Sequence, residues 1–213
     1  MFEGRKTDNF TMRITLETLQ NIIGPNGLRS ILNHAHLQKY IDNFPPDNDD
    51  LEIPLQDVHI LHHSLFDLFG KKGVRCLQIC VGREICRIGL EKRSGILKVL
   101  QLSARILSEN QQLHAVLEKY VEEAEKRQPT QLGVPRLTLI EEEKCFLLVD
   151  RDYHMSHGVV SDEPVCNDIV GTLQYLVEWI TGHPHKVEEI ECRAMGNPAD
   201  VFRISKRAWN SQK

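Results

Sequence analysis

Residues 166–204, CNDIVGTLQYLVEWITGHPHKVEEIECRAMGNPADVFRI, decide the fold. Behind Cys166, the residues Ile169, Val170, Leu173, Leu176, Val177 and Ile180 recur at helical spacing, which predicts a helix with one apolar face. Thr181-Gly182-His183-Pro184 stops it, because Gly182 can take a left-handed cap and Pro184 cannot continue a helix. Residues 186–194 and 200–205 read as strands joined by the turn Gly196-Asn197-Pro198. That hairpin brings Cys192 and Asp200 to facing ends, next to Glu189. Glu189 and Cys192 stand three residues apart, which a flat strand sends to opposite faces. Their meeting requires a bulge or a twist.

Working outward, residues 137–140 and 145–149 read as two antiparallel strands turned by Glu141-Glu142-Glu143. With the later hairpin they make a four-stranded antiparallel sheet backed by helices, an α+β domain. Helical patterns cover residues 14–23, ended by Gly24-Pro25-Asn26-Gly27, then 28–41, 55–69 ended by Gly70, 74–91, and a long stretch 95–127. The inner faces of 74–91 and 95–127 would wall any ligand pocket of the kind that the family resemblance described below implies. Residues 1–13 read as polar and frayed, 44–54 as a loop, and 129–135 as a linker.

Composition sets the limits. The 213 residues, 41% apolar and 26% charged, can bury an ordinary core. A net charge of −4 gives no footprint for bulk nucleic-acid binding. The opening MFEGRKTDNF lacks the apolar core of a signal peptide, and no apolar run reaches membrane-spanning length. Six scattered cysteines show no secreted disulfide framework. A reduced, cytoplasmic protein is the expectation. The sequence holds no Gly-rich phosphate loop, nucleophile elbow or H-E-x-x-H, so no conventional enzyme site is visible.

The Cys at a helix start, the E-x-x-C ending a strand and the C-x-x-x-G-N-P turn resemble the vinyl-4-reductase domain. So do the GPNG-L-x-x-I-L-N segment and the Y-I-D-N-F-P-P-D-N that follows it. That domain is related to the sensor modules of phenol-responsive transcription activators and to TRAPP trafficking subunits. The resemblance implies a zinc site at Cys166, Glu189, Cys192 and Asp200, the last departing from the family's cysteine. The other reading of these four is a degenerate site of packed thiols. The resemblance also implies an N-terminal helical arm over 1–50 and a ligand-binding domain over 51–213. Its ligand would be an apolar or aromatic hydrocarbon or a tetrapyrrole. A carrier role in (bacterio)chlorophyll 8-vinyl reduction and a dimeric scaffold are the alternatives. The apolar excess of residues 14–41 adds the expectation of a homodimer.

Other chemistry-bearing residues have plainer readings. His59-x-x-His62-His63 reads as a surface cluster, and His154-x-x-His157 as part of a solvated loop. Cys76 and Cys80, four apart on a helix, read as small apolar core residues, with Cys86 close by.

Overall fold

A computed structural model describes residues 2–92, 107–127 and 134–209. A short strand β1 (Lys6–Thr7) pairs antiparallel with β2 (Ile53–Pro54). Helix α1 (Asn9–His34) starts where Asp8 accepts a hydrogen bond from the Thr11 N–H at 2.7 Å. A side-chain cap satisfies one of the donors that a helix start leaves open. The chain bends at Gly24, whose φ of 77° sets Pro25 into a fresh helical turn. Helix α2 (Leu55–Lys92) bends in the same way at Gly70, where φ is 65°. Then follow α3 (Glu109–Arg127), β3 (Leu137–Glu141), β4 (Cys145–Asp150), α4 (Asn167–Thr181), β5 (His185–Glu191) and β6 (Asp200–Ala208). The last four strands form one antiparallel sheet, as the sequence predicts, and its order is β3-β4-β6-β5.

Two apolar cores result. Phe146, Leu148, Phe202 and Ile204 of the sheet pack with Leu113 and Leu117 of α3 and Leu173 and Val177 of α4. A second core joins Leu16, Leu19, Ile31 and Leu32 of α1 to Leu61, Leu65, Val74 and Val81 of α2. The apolar face that motivated a dimer is thus covered inside the chain by α2. Between the cores, α2 and α4 cross in backbone contact. A Cβ on Gly82 would lie 1.9 Å from the Asp168 carbonyl oxygen, and one on Gly171 would lie 2.2 Å from that of Ile79.

Several expectations are corrected. Residues 2–13 are docked, with Phe2, Phe10 and Met12 buried: Met12 joins the helical core and Phe2 packs between His59 and His157. The helix expected over 28–41 ends at His34 and gives way to a single 3-10 turn, Gln38–Tyr40. Cys76 and Cys80 are exposed, while Cys86 is buried. The long helix expected from residue 95 is described from Glu109. Residues 93–106 and 128–133, which include 129–133 of the expected linker, lie outside the described residues. Among the described residues no helix is long and apolar enough to cross a membrane.

Candidate functional site

At the seam of the two cores lies a cavity of about 240 Å³, smaller than the roughly 300–1,000 Å³ of typical ligand sites. Its apolar wall comes from Val58, Ile85, Leu90, Val116 and Leu176. These include the inner faces of residues 74–91 and of α3, where the sequence places them. The N-terminal residues Thr7, Asp8 and Thr11 complete the wall.

The polar residues of the wall fall into two groups. In the first, charges are matched: Arg136 faces Asp150 at 3.1 Å and Lys119 faces Glu123 at 3.1 Å. Tyr153 donates its hydroxyl hydrogen to Asp168. Burial pushes the Asp168 carboxyl up to about 6 against the pull of that hydroxyl and of backbone N–H groups in the first turn of α4.

The second group is unsatisfied. His62 is 2% exposed and His154 4%. His62 Nδ1 and both ring nitrogens of His154 are buried with no hydrogen-bond partner. Their rings lie 6.4 Å apart. Burial first, then the neighbouring His59, pushes His62 down to about 4, and burial drives His154 well below the ordinary imidazole range. Both are therefore neutral at physiological pH. A buried polar group left unpaired costs about 1–3 kcal/mol, so such groups ordinarily mark the place of a water, an ion or a ligand.

These two side chains correct the sequence reading of a surface cluster and a solvated loop. The legible signal was spacing, because His62 shares a helical stripe with Val58 and Leu65, both buried. The loop around His154 gave no such signal. Its burial comes from Tyr153, Met155 and Ser156, which pack down against α4 and β6.

The structure also brings Cys166, Glu189, Cys192 and Asp200 together, their ligand-type atoms all within 4.8 Å of one another. The required bulge is present as a register shift between Glu189 and Glu191. The Cys166 N–H donates to Glu189 Oε2 at 2.8 Å. Asp200 accepts from the Ser156 hydroxyl at 2.6 Å and the Arg193 N–H at 2.7 Å. Burial holds the Cys166 thiol well above its ordinary range and pushes Glu189 up to about 9. A hydrogen bond from Cys166 lowers Cys192 to about 5, with further help from Glu189 and from backbone N–H groups. The cluster thus shares one thiolate charge among proton-bearing neighbours.

No protein-family model matches the chain, and no curated protein sequence does. The likeness is to solved structures of H-NOX domains. The Fe(II) unliganded H-NOX protein from K. algicida superposes with a TM-score of 0.64 at 11% identity, covering 97% of this chain and 99% of that one. The IWP-051-bound H-NOX from Shewanella woodyi, in the Fe(II)CO state, gives 0.58 at 15% identity, covering 96% of each chain. An oxygen-binding H-NOX domain related to soluble guanylate cyclases, solved as its oxygen complex, gives 0.54 at 16%, covering 94% and 96%. The chain has their α+β fold from end to end.

This corrects the family drawn from the sequence, since the neighbours are H-NOX domains and not vinyl-4-reductase or TRAPP proteins. The motif that carried the resemblance describes a helix start, a bulged hairpin and a turn, local geometry that this fold also contains. The hydrocarbon, pigment-carrier and scaffold readings rested on that resemblance and go with it. Zinc as the cofactor is corrected likewise. The solved relatives in fold are described by heme and by iron states.

Proposed function

We propose that this chain is a small-molecule sensing domain that holds a tetrapyrrole, heme foremost, in the cavity between α2, α3, α4 and β4. The observation that carries this reading is a mostly apolar cavity at the meeting of two cores, with two unsatisfied imidazoles in its wall. Ligand sites favour such seams and such linings. The H-NOX domains alike in fold are described with heme, with oxygen and with Fe(II)CO, which supports the choice of ligand class.

The donor chemistry fits. Neutral imidazole is a ligand for heme iron, and the wall also carries a phenol, Tyr120, and a thiol, Cys86. A heme held there would supply a metal centre able to take up a diatomic gas. The chain's own contribution is to exclude water with Val58, Val116 and Leu176 and to hold Asp168 through Tyr153. Arg136 and Lys119 are cations of the wall, each paired with an acid there, Asp150 and Glu123.

The test is a hemin titration of the purified full chain followed by visible absorbance. A saturable, red-shifted porphyrin band at one hemin per chain is expected. Ala124 lines the cavity, so Ala124→Phe should fill it and weaken hemin binding at least about tenfold with the fold intact. A wild-type chain whose spectrum remains that of free hemin sinks the reading.

A further inference from the structure

We infer that a second cavity, between α2, β5 and the loop after β4, binds a small zwitterion with an apolar side chain, an α-amino acid such as leucine or phenylalanine. It holds about 450 Å³, within the range of typical ligand sites, roughly 300–1,000 Å³. No residue lines both cavities. The split follows from helix geometry, because neighbours in sequence stand about 100° apart around a helix. On α2, His62 lines the first cavity and His63 the second. On α4, Asp168 and Ile169 line the first, and Asn167 and Val170 the second.

The chemistry of the wall selects the ligand class. Part of it is apolar: Phe66 from α2, Val165 from the loop after β4, Val170 from α4 and Val187 from β5. All three valines are buried. His63, in the same wall, has its Nε2 buried without a hydrogen-bond partner, in a ring packed on His59 at 4.3 Å. Such an atom ordinarily marks the place of a water, an ion or a ligand.

Most charges of the wall are already matched. Lys71 is taken by Asp162. Glu188 is held by Lys186 and Arg203, each at 2.7 Å. Glu189 accepts the Cys166 N–H at 2.8 Å, and Asp67 has His34 at 3.4 Å. One group of each sign is left over. Arg75 makes no ion pair or hydrogen bond with any described residue. Glu163 acts on Lys71 only at longer range, behind Asp162, and has no ion pair of its own among the described residues. A simple carboxylate would meet Arg75 but also the repulsion of Glu163, and an amine would meet the reverse. A zwitterion answers both. Its carboxylate suits the planar fork of the Arg75 guanidinium, its ammonium suits Glu163, and its side chain lies among Phe66, Val170 and Val187. The His63 imidazole, donor or acceptor according to its tautomer, can serve either end.

Calorimetric titration of the full chain with L-leucine and L-phenylalanine tests this. The controls are the analogues that lack one charge: 4-methylpentanoate and 3-methylbutylamine for leucine, 3-phenylpropionate and 2-phenylethylamine for phenylalanine. At least one amino acid should bind saturably, one per chain, and at least about tenfold more tightly than either of its own analogues. Arg75 and Glu163 are exposed, so Arg75→Gln and Glu163→Gln should fold as wild type does by circular dichroism. Each should weaken amino-acid binding at least about tenfold. Lys72→Gln, at an equally exposed cation outside the wall, should match wild type. All three variants should keep wild-type behaviour with hemin, since none touches the first cavity. The assignment is overturned if neither amino acid binds, or if an acid or amine analogue binds as tightly as its parent. It is overturned equally if Arg75→Gln and Glu163→Gln leave the affinity unchanged. None of these results bears on what the first cavity holds.

Discussion

His62 and Asp168 line the same cavity, and their ionisations pull stability in opposite directions. His62 is a base whose folded value lies near 4, below its ordinary 6.5. Its contribution is therefore fully present above about pH 6.5 and lost as pH falls through 4. A depression of that size corresponds to on the order of 3 kcal/mol. Asp168 is an acid raised from 3.8 to about 6, so its contribution is present below about pH 4 and lost as pH rises through 6. The whole chain reports the sum of such terms, and one substitution separates them. In urea unfolding of the ligand-free chain, the stability of wild type relative to His62→Gln should fall by on the order of 3 kcal/mol between pH 7.5 and pH 4. A constant difference across that range would mean that His62 is not held neutral by burial. At this scale the sequence was only partly legible. Cys166, Glu189, Cys192 and Asp200 do converge as the hairpin implied. Of the cavity histidines, His62 carried a signal in its helical spacing, but His154 could not be read, because its burial depends on contacts up to 95 residues away.

Among the elements, the sheet and α4 were the most legible, since local chemistry sets both. Gly182 takes the left-handed cap at φ 77°, and the four strands appear in the predicted pairing. The packing between helices was not legible, because nothing local in either helix names its partner. The crossing of α2 over α4 depends on the missing side chains of Gly82 and Gly171, each facing the other helix's backbone. The Thr172 hydroxyl donates to the Gly82 carbonyl at 3.1 Å, which fixes the register of the crossing. A methyl group at either glycine meets a carbonyl that cannot step aside, so the helices must part. Gly82→Ala and Gly171→Ala should each destabilise the fold by about 1–3 kcal/mol. Because Asp168 and Thr172 also line the cavity, hemin affinity should fall with them. Thermal melts within a degree of wild type would show that the crossing tolerates separation.

At the scale of the whole molecule, two cores meet along α2, and the first residues of the chain clamp that meeting. The Phe2 ring is 4% exposed and sits between His59 of α2 and His157 of the loop after β4, with ring centres 5.0 Å from each. Arg5 reaches Asp152 of the same loop at 2.9 Å, and its carbonyl accepts the Leu55 N–H at 3.0 Å where α2 begins. Thr7 and Asp8, next in sequence, line the cavity. A reading of polar composition alone makes this segment frayed, since the apolar content of residues 1–9 is only Met1 and Phe2. Its order comes from what it bridges. The ion pair of Arg5 is partly exposed, and such pairs contribute little, up to about 1 kcal/mol. The ring of Phe2 is buried, and a Phe→Ala change in a full core costs about 3–5 kcal/mol. At this edge position the loss should be about 2–3 kcal/mol. Phe2→Ala should therefore destabilise far more than Arg5→Ala in urea unfolding. With the clamp gone, the α2 and loop sides of the cavity should separate more often, and bound hemin should leave several-fold faster. Equal, sub-kilocalorie effects of the two substitutions, with hemin release unchanged, would show that the N-terminal segment rests on the fold without holding its two cores together.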